Sequence, residues 1–218
     1  MRSNRAMRQI RSISEQRREE AVWVPRTRLG LSVSNSKVTS LDEIFRNGWK
    51  IKEPEIVRTL SPDLKSYTVH VGIVQKQTDA GELTKFRAVV AVGDETRWFG
   101  VGSGKTKQLR DAVDKGTNDA MLNIIPVRLG CGSWECRCGT NHSIPYKTLG
   151  KGGSVRVVII PGPRGLGLVA GESIRNLLSL TGIKDAWTRT TGSTSTVASV
   201  ANAVYDAIRK VHGMSVPR

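Results

Sequence analysis

From Ser66 onward apolar and small or polar positions alternate: Tyr67, Val69, Val71 and Ile73 fall on one side, Thr68, His70, Gly72 and Val74 on the other. A period of two predicts a strand. A turn at Asp79-Ala80-Gly81 leads to a second strand through Phe86, Ala88, Val90 and Val92, and Gly93-Asp94 turns into a third from Arg97 to Val101. The period then lengthens. Leu109, Ala112, Val113, Gly116, Ala120 and Ile124 recur at helical spacing, predicting a helix that begins near Lys105 and ends before Pro126. Upstream, Ser40-Leu41-Asp42-Glu43 reads as a capping box for a short helix that stops at Gly48, and Pro54 opens another through Ile56, Val57 and Leu60. Downstream, Val155 to Ile160 forms a strand rich in branched residues. Pro161-Gly162-Pro163-Arg164-Gly165 turns it into Leu166 to Ala170, Glu172 to Leu180 is a helix, Ile183 to Thr190 a strand, and Val197 to Val211 a final helix. The pattern is α+β, in two lobes.

Charge narrows the partners. Lys and Arg number 34 against 19 Asp and Glu, a net of +15 with a pI near 10.3, which is the footprint of a nucleic-acid binder. Residues 1 to 28 alone hold eight arginines against three glutamates, a basic arm suited to an acidic partner. No apolar run is long enough to span a bilayer and no leader peptide is evident, so a cytoplasmic protein without a membrane partner is expected.

The run Gly100-Val101-Gly102-Ser103-Gly104-Lys105-Thr106 resembles a nucleotide phosphate loop. The spacing fails, because the first glycine of that pattern would have to stand where the chain has Phe99. No nucleotide cofactor is expected. Three glycines before a helix still suggest close approach to phosphate, and Lys105, Lys107 and Arg110 are the expected RNA contacts there. Three antiparallel strands followed by such a helix resemble a double-stranded-RNA-binding fold.

All three cysteines, Cys131, Cys136 and Cys138, lie within eight residues, and His142 follows. Three sulfurs and one imidazole make the donor set of a structural zinc site with no open position for catalysis. Reduced cytosolic thiols are the alternative. With His70 in a strand, His142 assigned to metal and His212 at a helix end, no nucleophile, base and orienting group assemble, so no enzyme is expected.

Trp23-Val24-Pro25-Arg26-Thr27-Arg28-Leu29-Gly30, the run Phe99 to Lys105, Pro161-Gly162-Pro163-Arg164-Gly165 with Gly167 and Val169-Ala170-Gly171, and Gly192-Ser193-Thr194 occur in one order. That order resembles the universal family of the fifth small-subunit ribosomal protein, whose eukaryotic members are called S-two, and the Cys/His stretch is similar to its archaeal branch. The resemblance implies a basic arm (1–39), a double-stranded-RNA-binding-like lobe with leading helices (40–127), a Cys/His linker (128–150), a βαβ second lobe of the S-five type (151–213) and a tail (214–218). It further implies a structural constituent of the small ribosomal subunit, bound to small-subunit rRNA near the channel through which mRNA enters and contributing to decoding accuracy. A free-standing RNA-binding regulator is the alternative. Arg26, Arg28, Lys76, Lys85, Lys151 and Arg164 join the three residues above as expected RNA contacts. By family position the Lys76-Gln77 hairpin tip points toward the decoding region. Arg156 belongs to the face expected to meet the fourth small-subunit protein, among other subunit proteins.

Overall fold

The computed structural model describes residues 23–136 and 138–213. Residues 1–22 of the basic arm expected over 1–39, and the tail expected over 214–218, lie outside the described residues. The chain divides after Leu60 into two compact units.

Three short helices build the described part of the first unit: α1 (Arg28–Ser34), α2 (Leu41–Arg46) and α3 (Pro54–Leu60). The alternation of turns and short runs did not foretell α1. Thr27 caps it, its hydroxyl accepting from the Gly30 N–H at 3.0 Å. Ser40 is the N-cap of α2, but its side chain makes no capping bond, and Glu43 instead accepts from the Thr39 N–H at 3.4 Å. The expected capping box is therefore not formed, the Glu43 carboxylate reaching the residue before the cap instead of the cap itself. Val33, Val38, Leu41, Ile44, Ile51, Ile56 and Val57 are buried and supply the apolar burial that helices this short need. Glu53 fixes the segment before α1: its carboxylate accepts from Trp23 Nε1 at 3.1 Å, Arg26 N–H at 2.9 Å and Thr27 N–H at 2.7 Å. Desolvation would raise that carboxyl, but these donors outweigh it and hold the group below its ordinary value.

The second unit carries two sheets. The first is antiparallel in the order β1 (Lys65–Thr78), β2 (Gly81–Gly93), β3 (Trp98–Thr106), β4 (Ile125–Pro126), with α4 (Leu109–Leu122) between β3 and β4. The outer half of the β1–β2 hairpin is exposed, whereas Ala88 to Gly93 are buried without interruption. Both faces of β2 are covered there. Ala88, Val90 and Val92 cluster with Ala112 and Ala120 of α4, while Val89 and Ala91 join Phe99, Val101 and the core of the second sheet.

The glycine run corrects the sequence reading. Gly100 to Lys105 lie in strand β3, and α4 starts at Leu109, four residues later than expected. The glycines recur at period two and so share one face. A Cβ on Gly100 would stand 2.2 Å from the Ala120 carbonyl oxygen, one on Gly102 2.1 Å from the Ala120 nitrogen, and one on Gly104 2.1 Å from the Ala112 carbonyl oxygen. Their missing side chains let a helix backbone lie on the strand. They do not line a phosphate loop.

The second sheet runs in the order β5 (Thr148–Gly152), β6 (Val155–Pro161), β8 (Ala186–Thr191), β7 (Leu168–Val169), with β7 parallel to β8 and the other pairs antiparallel. Between them come α5 (Glu172–Leu180) and, last, α6 (Val197–Gly213). Gly150 to Gly152, expected to precede the first strand of the second lobe, is itself strand and repeats the β3 device: a Cβ at Gly150 would meet the Ala203 carbonyl oxygen at 1.9 Å and one at Gly152 that of Ser199 at 2.2 Å. The strand expected from Leu166 to Ala170 shrinks to two residues because Gly165 and Gly167 adopt φ of +87° and +76°, a turn conformation unavailable at low cost to other residues. Val155, Val157, Ile159, Leu177, Leu178, Val204 and Ile208 fill the core below, continuous with Val89, Ala91 and Phe99 of the first sheet.

Candidate functional site

The Cys/His stretch is a closed excursion. Gly130 and Ser143 pair across its base by two backbone hydrogen bonds of 2.8 and 2.9 Å, and the Gly132 N–H donates to the Ile144 carbonyl at 3.2 Å. Within it, the Cys136 N–H donates to the Ser133 carbonyl, tightening a turn over Trp134 and Glu135. The donor atoms of Cys131, Cys136, Cys138 and His142 converge to within 4.8 Å of one another. Cys138 Sγ is 3.6 Å from Cys131 Sγ, and Cys136 Sγ is 3.6 Å from His142 Nε2. A tetrahedral ion with sulfur at about 2.3 Å and nitrogen at about 2.0 Å requires ligand separations of roughly 3.5–3.8 Å. The cluster has the donors and the size to hold a metal ion.

The thiols differ. Thr140 hydrogen-bonds the Cys138 sulfur through its hydroxyl and its backbone, which, with the neighbouring thiols, brings that group down to about 6. Desolvation first, then the neighbouring sulfurs, push Cys131 up to about 11. Crowded sulfurs cannot all ionise unless a cation joins them.

His142 is buried, and its Nδ1 stands 2.8 Å from Asp185 Oδ2, close enough for an ion pair although not aligned as a hydrogen bond. Asp185 is itself buried and its other oxygen accepts from the Gly167 N–H at 2.8 Å. The His142 carbonyl accepts from the N–H groups of Lys184 and Asp185, Ser143 Oγ donates to the Asp185 carbonyl, and the Gly162 N–H donates to Ser143 Oγ. Side chain and backbone thus stitch the end of the cluster to the start of β8 and the turn before β7. Asp185 was missed in the sequence reading. Its only signal there was an acid within the strand expected from Ile183 to Thr190, immediately before Ala186 and Trp187, a position where a carboxylate that becomes buried needs a partner.

The expected RNA contacts fall on several different elements. Arg26 and Arg28 flank the Thr27 cap in the first unit, both exposed. Lys105, Lys107 and Arg110 lie together where β3 passes into α4, all exposed. Lys76 is exposed on the hairpin, while Lys85 is half-buried and pairs with Val74. Glu82, at the same tip, accepts from Gln75 and Gln77. Arg164 is exposed in the turn after β6. Lys151 and Arg156 are exposed and directly paired across β5 and β6, sharing the sheet face opposite α6.

Comparison with known proteins agrees with this architecture. The family model "Ribosomal protein S5, N-terminal domain" matches residues 64–128, and "Ribosomal protein S5, C-terminal domain" matches residues 150–215. The chain is 53% identical over 193 residues to the small ribosomal subunit protein uS5 of Cenarchaeum symbiosum, covering 88% of each chain. It is 51% identical over 192 residues to uS5 of Pyrobaculum aerophilum, again 88% of each, and 53% identical over 195 residues to uS5 of Staphylothermus marinus, 89% of this chain and 91% of the relative. With both lobes matched and half the residues identical along most of its length, the chain belongs to the ribosomal protein S5 family, the uS5 proteins of the small ribosomal subunit.

Proposed function

We propose that the protein binds small-subunit rRNA as a structural constituent of the subunit, with Lys105, Lys107 and Arg110 as its principal phosphate contacts. The observation that carries this reading is the exposure of these three cations on one short connection between β3 and α4. The glycines beneath them bring the helix onto the strand, so the cations stand on a rigid junction rather than a loose loop. Arg26, Arg28, Lys76, Lys85, Lys151 and Arg164 extend the contact over both RNA-facing lobes (40–127 and 151–213) and the arm (1–39). The linker (128–150) holds structural Zn2+ through Cys131, Cys136, Cys138 and His142, with Asp185 behind the imidazole. Arg156 faces the fourth small-subunit ribosomal protein, and the hairpin tip at Lys76 reaches toward mRNA near its entrance, where the protein contributes to decoding accuracy. Support for these last assignments is family position.

The test is the salt dependence of rRNA binding. Replacing Lys105, Lys107 and Arg110 together by Gln is expected to weaken binding and to flatten the slope of log affinity against log salt by about 2–3. A slope equal to that of the parent protein refutes the assignment.

A further inference from the structure

Trp134 is 88% exposed, the most exposed of the large apolar side chains among the described residues. An indole is rarely left in water, since its area is the largest a single side chain can bury. The residues around it explain why it is not a fragment of an apolar interface. Gly132, Ser133 and Glu135 flank it, and no other exposed large hydrophobic lies between Cys131 and His142. A protein-binding hot spot sits in a ring of apolar or well-packed neighbours; among the described residues of this stretch Trp134 has no such companion.

It is also held firmly. Ser133 is buried, the Cys136 N–H closes the turn onto the Ser133 carbonyl, and the two candidate metal ligands Cys131 and Cys136 bracket the turn on both sides. An exposed aromatic ring carried on a fixed backbone turn of a strongly basic protein has the properties of a base-stacking platform: every nucleobase offers a π-face, and a turn already in place leaves only the side-chain rotamer to be ordered on binding.

We propose that Trp134 stacks on an unpaired base of the RNA this protein binds, and that the Cys/His centre serves to present it. The proposal rests on the rRNA-binding reading above and deepens it. It assigns to the metal-held turn a role in recognition as well as in stability.

The experiment compares the parent, Trp134→Ala and Trp134→Tyr, all full-length and purified without chelator, for binding to small-subunit rRNA across a salt series. Because the side chain is exposed, neither substitution removes core packing. Stacking predicts that Trp134→Ala weakens binding by roughly 5- to 150-fold, that the salt slope stays unchanged because no phosphate contact is lost, and that Trp134→Tyr recovers most of the affinity. Equal affinity of parent and Trp134→Ala overturns the proposal, and so does a loss confined to association with a neighbouring subunit protein. If the parent itself fails to bind rRNA, the underlying reading falls, an outcome distinct from equal binding by parent and variant.

Discussion

Lys151 and Arg156 stand directly opposite each other across the β5–β6 hairpin, both exposed on the face away from α6. Like charges in register repel, at a cost of a few tenths to about 1 kcal/mol. A free protein gains nothing from this pair, whereas a phosphate set against Lys151 relieves the repulsion. Lys151→Gln is therefore expected to raise the melting temperature of the isolated protein slightly while weakening rRNA binding. A thermal melt and a binding isotherm on the same preparation check it; a variant less stable than its parent contradicts the argument.

The Gly-x-Gly-x-Gly strand should tolerate no side chain. A methyl at Gly102 would lie 2.1 Å from the Ala120 nitrogen and 2.6 Å from the Gly116 oxygen, all backbone that cannot swing aside. Gly102→Ala is expected to destabilise by about 1–3 kcal/mol or more. Gly213→Ala, at the exposed end of α6 with open space around it, is the control and should be near neutral. Denaturant midpoints separate the two.

Asp94 predicts an acid limb. Burial would raise its carboxyl, but the Thr96 hydroxyl and the N–H groups of Trp98, Arg97 and Thr96 outweigh that and hold it below its ordinary value of 3.8. A depressed folded-state value means the stabilisation is complete above 3.8 and fades as pH falls through the lower value. Asp94→Ala should cost about 1–2 kcal/mol at neutral pH, the modest end of the range because the group is partly exposed. It should also lose part of the difference in stability between neutral pH and strong acid. Unfolding titrations of both proteins between neutrality and strong acid measure this; parallel curves would count against it.

Asp185→Asn keeps the shape behind His142 and removes the charge. Carboxylates that back a metal-bound imidazole are worth 10- to 100-fold in metal affinity, so zinc should compete less well against a chelator by about that factor. Because the same residue holds the Gly167 N–H, metal removal should also lower the melting temperature of the parent protein. Unchanged chelator competition in the variant would show that Asp185 does not support the site.

Periodicity made most elements legible. The alternation at Tyr67–Ile73 and the helical spacing at Val197–Val211 each depend on one residue's neighbours, and both match the structure. The failures share a cause. Gly100–Gly104 and Gly150–Gly152 carry no hydrophobic alternation, because the residue that meets the helix is the one without a side chain, and a strand written in glycine looks like a loop. Ser40 was an N-cap as expected, but whether its hydroxyl turns inward depends on packing that spacing does not encode. In the Cys/His cluster the four candidate donors could be read from their proximity in sequence. Asp185 could not, since 43 residues separate it from His142 and only the β8 fold-back brings them together.

Val89, Ala91, Phe99 and Val101 share one core with Val200, Val204 and Ile208. As the chain is made from its N-terminus, the first sheet therefore leaves the translating ribosome with an oily side that nothing yet shields. Its cover, α6, is the last element to emerge. At about 5–20 residues per second the wait is on the order of 5–20 s. That interval is an opportunity for aggregation and a reason for a chaperone or an RNA to reach the nascent chain first.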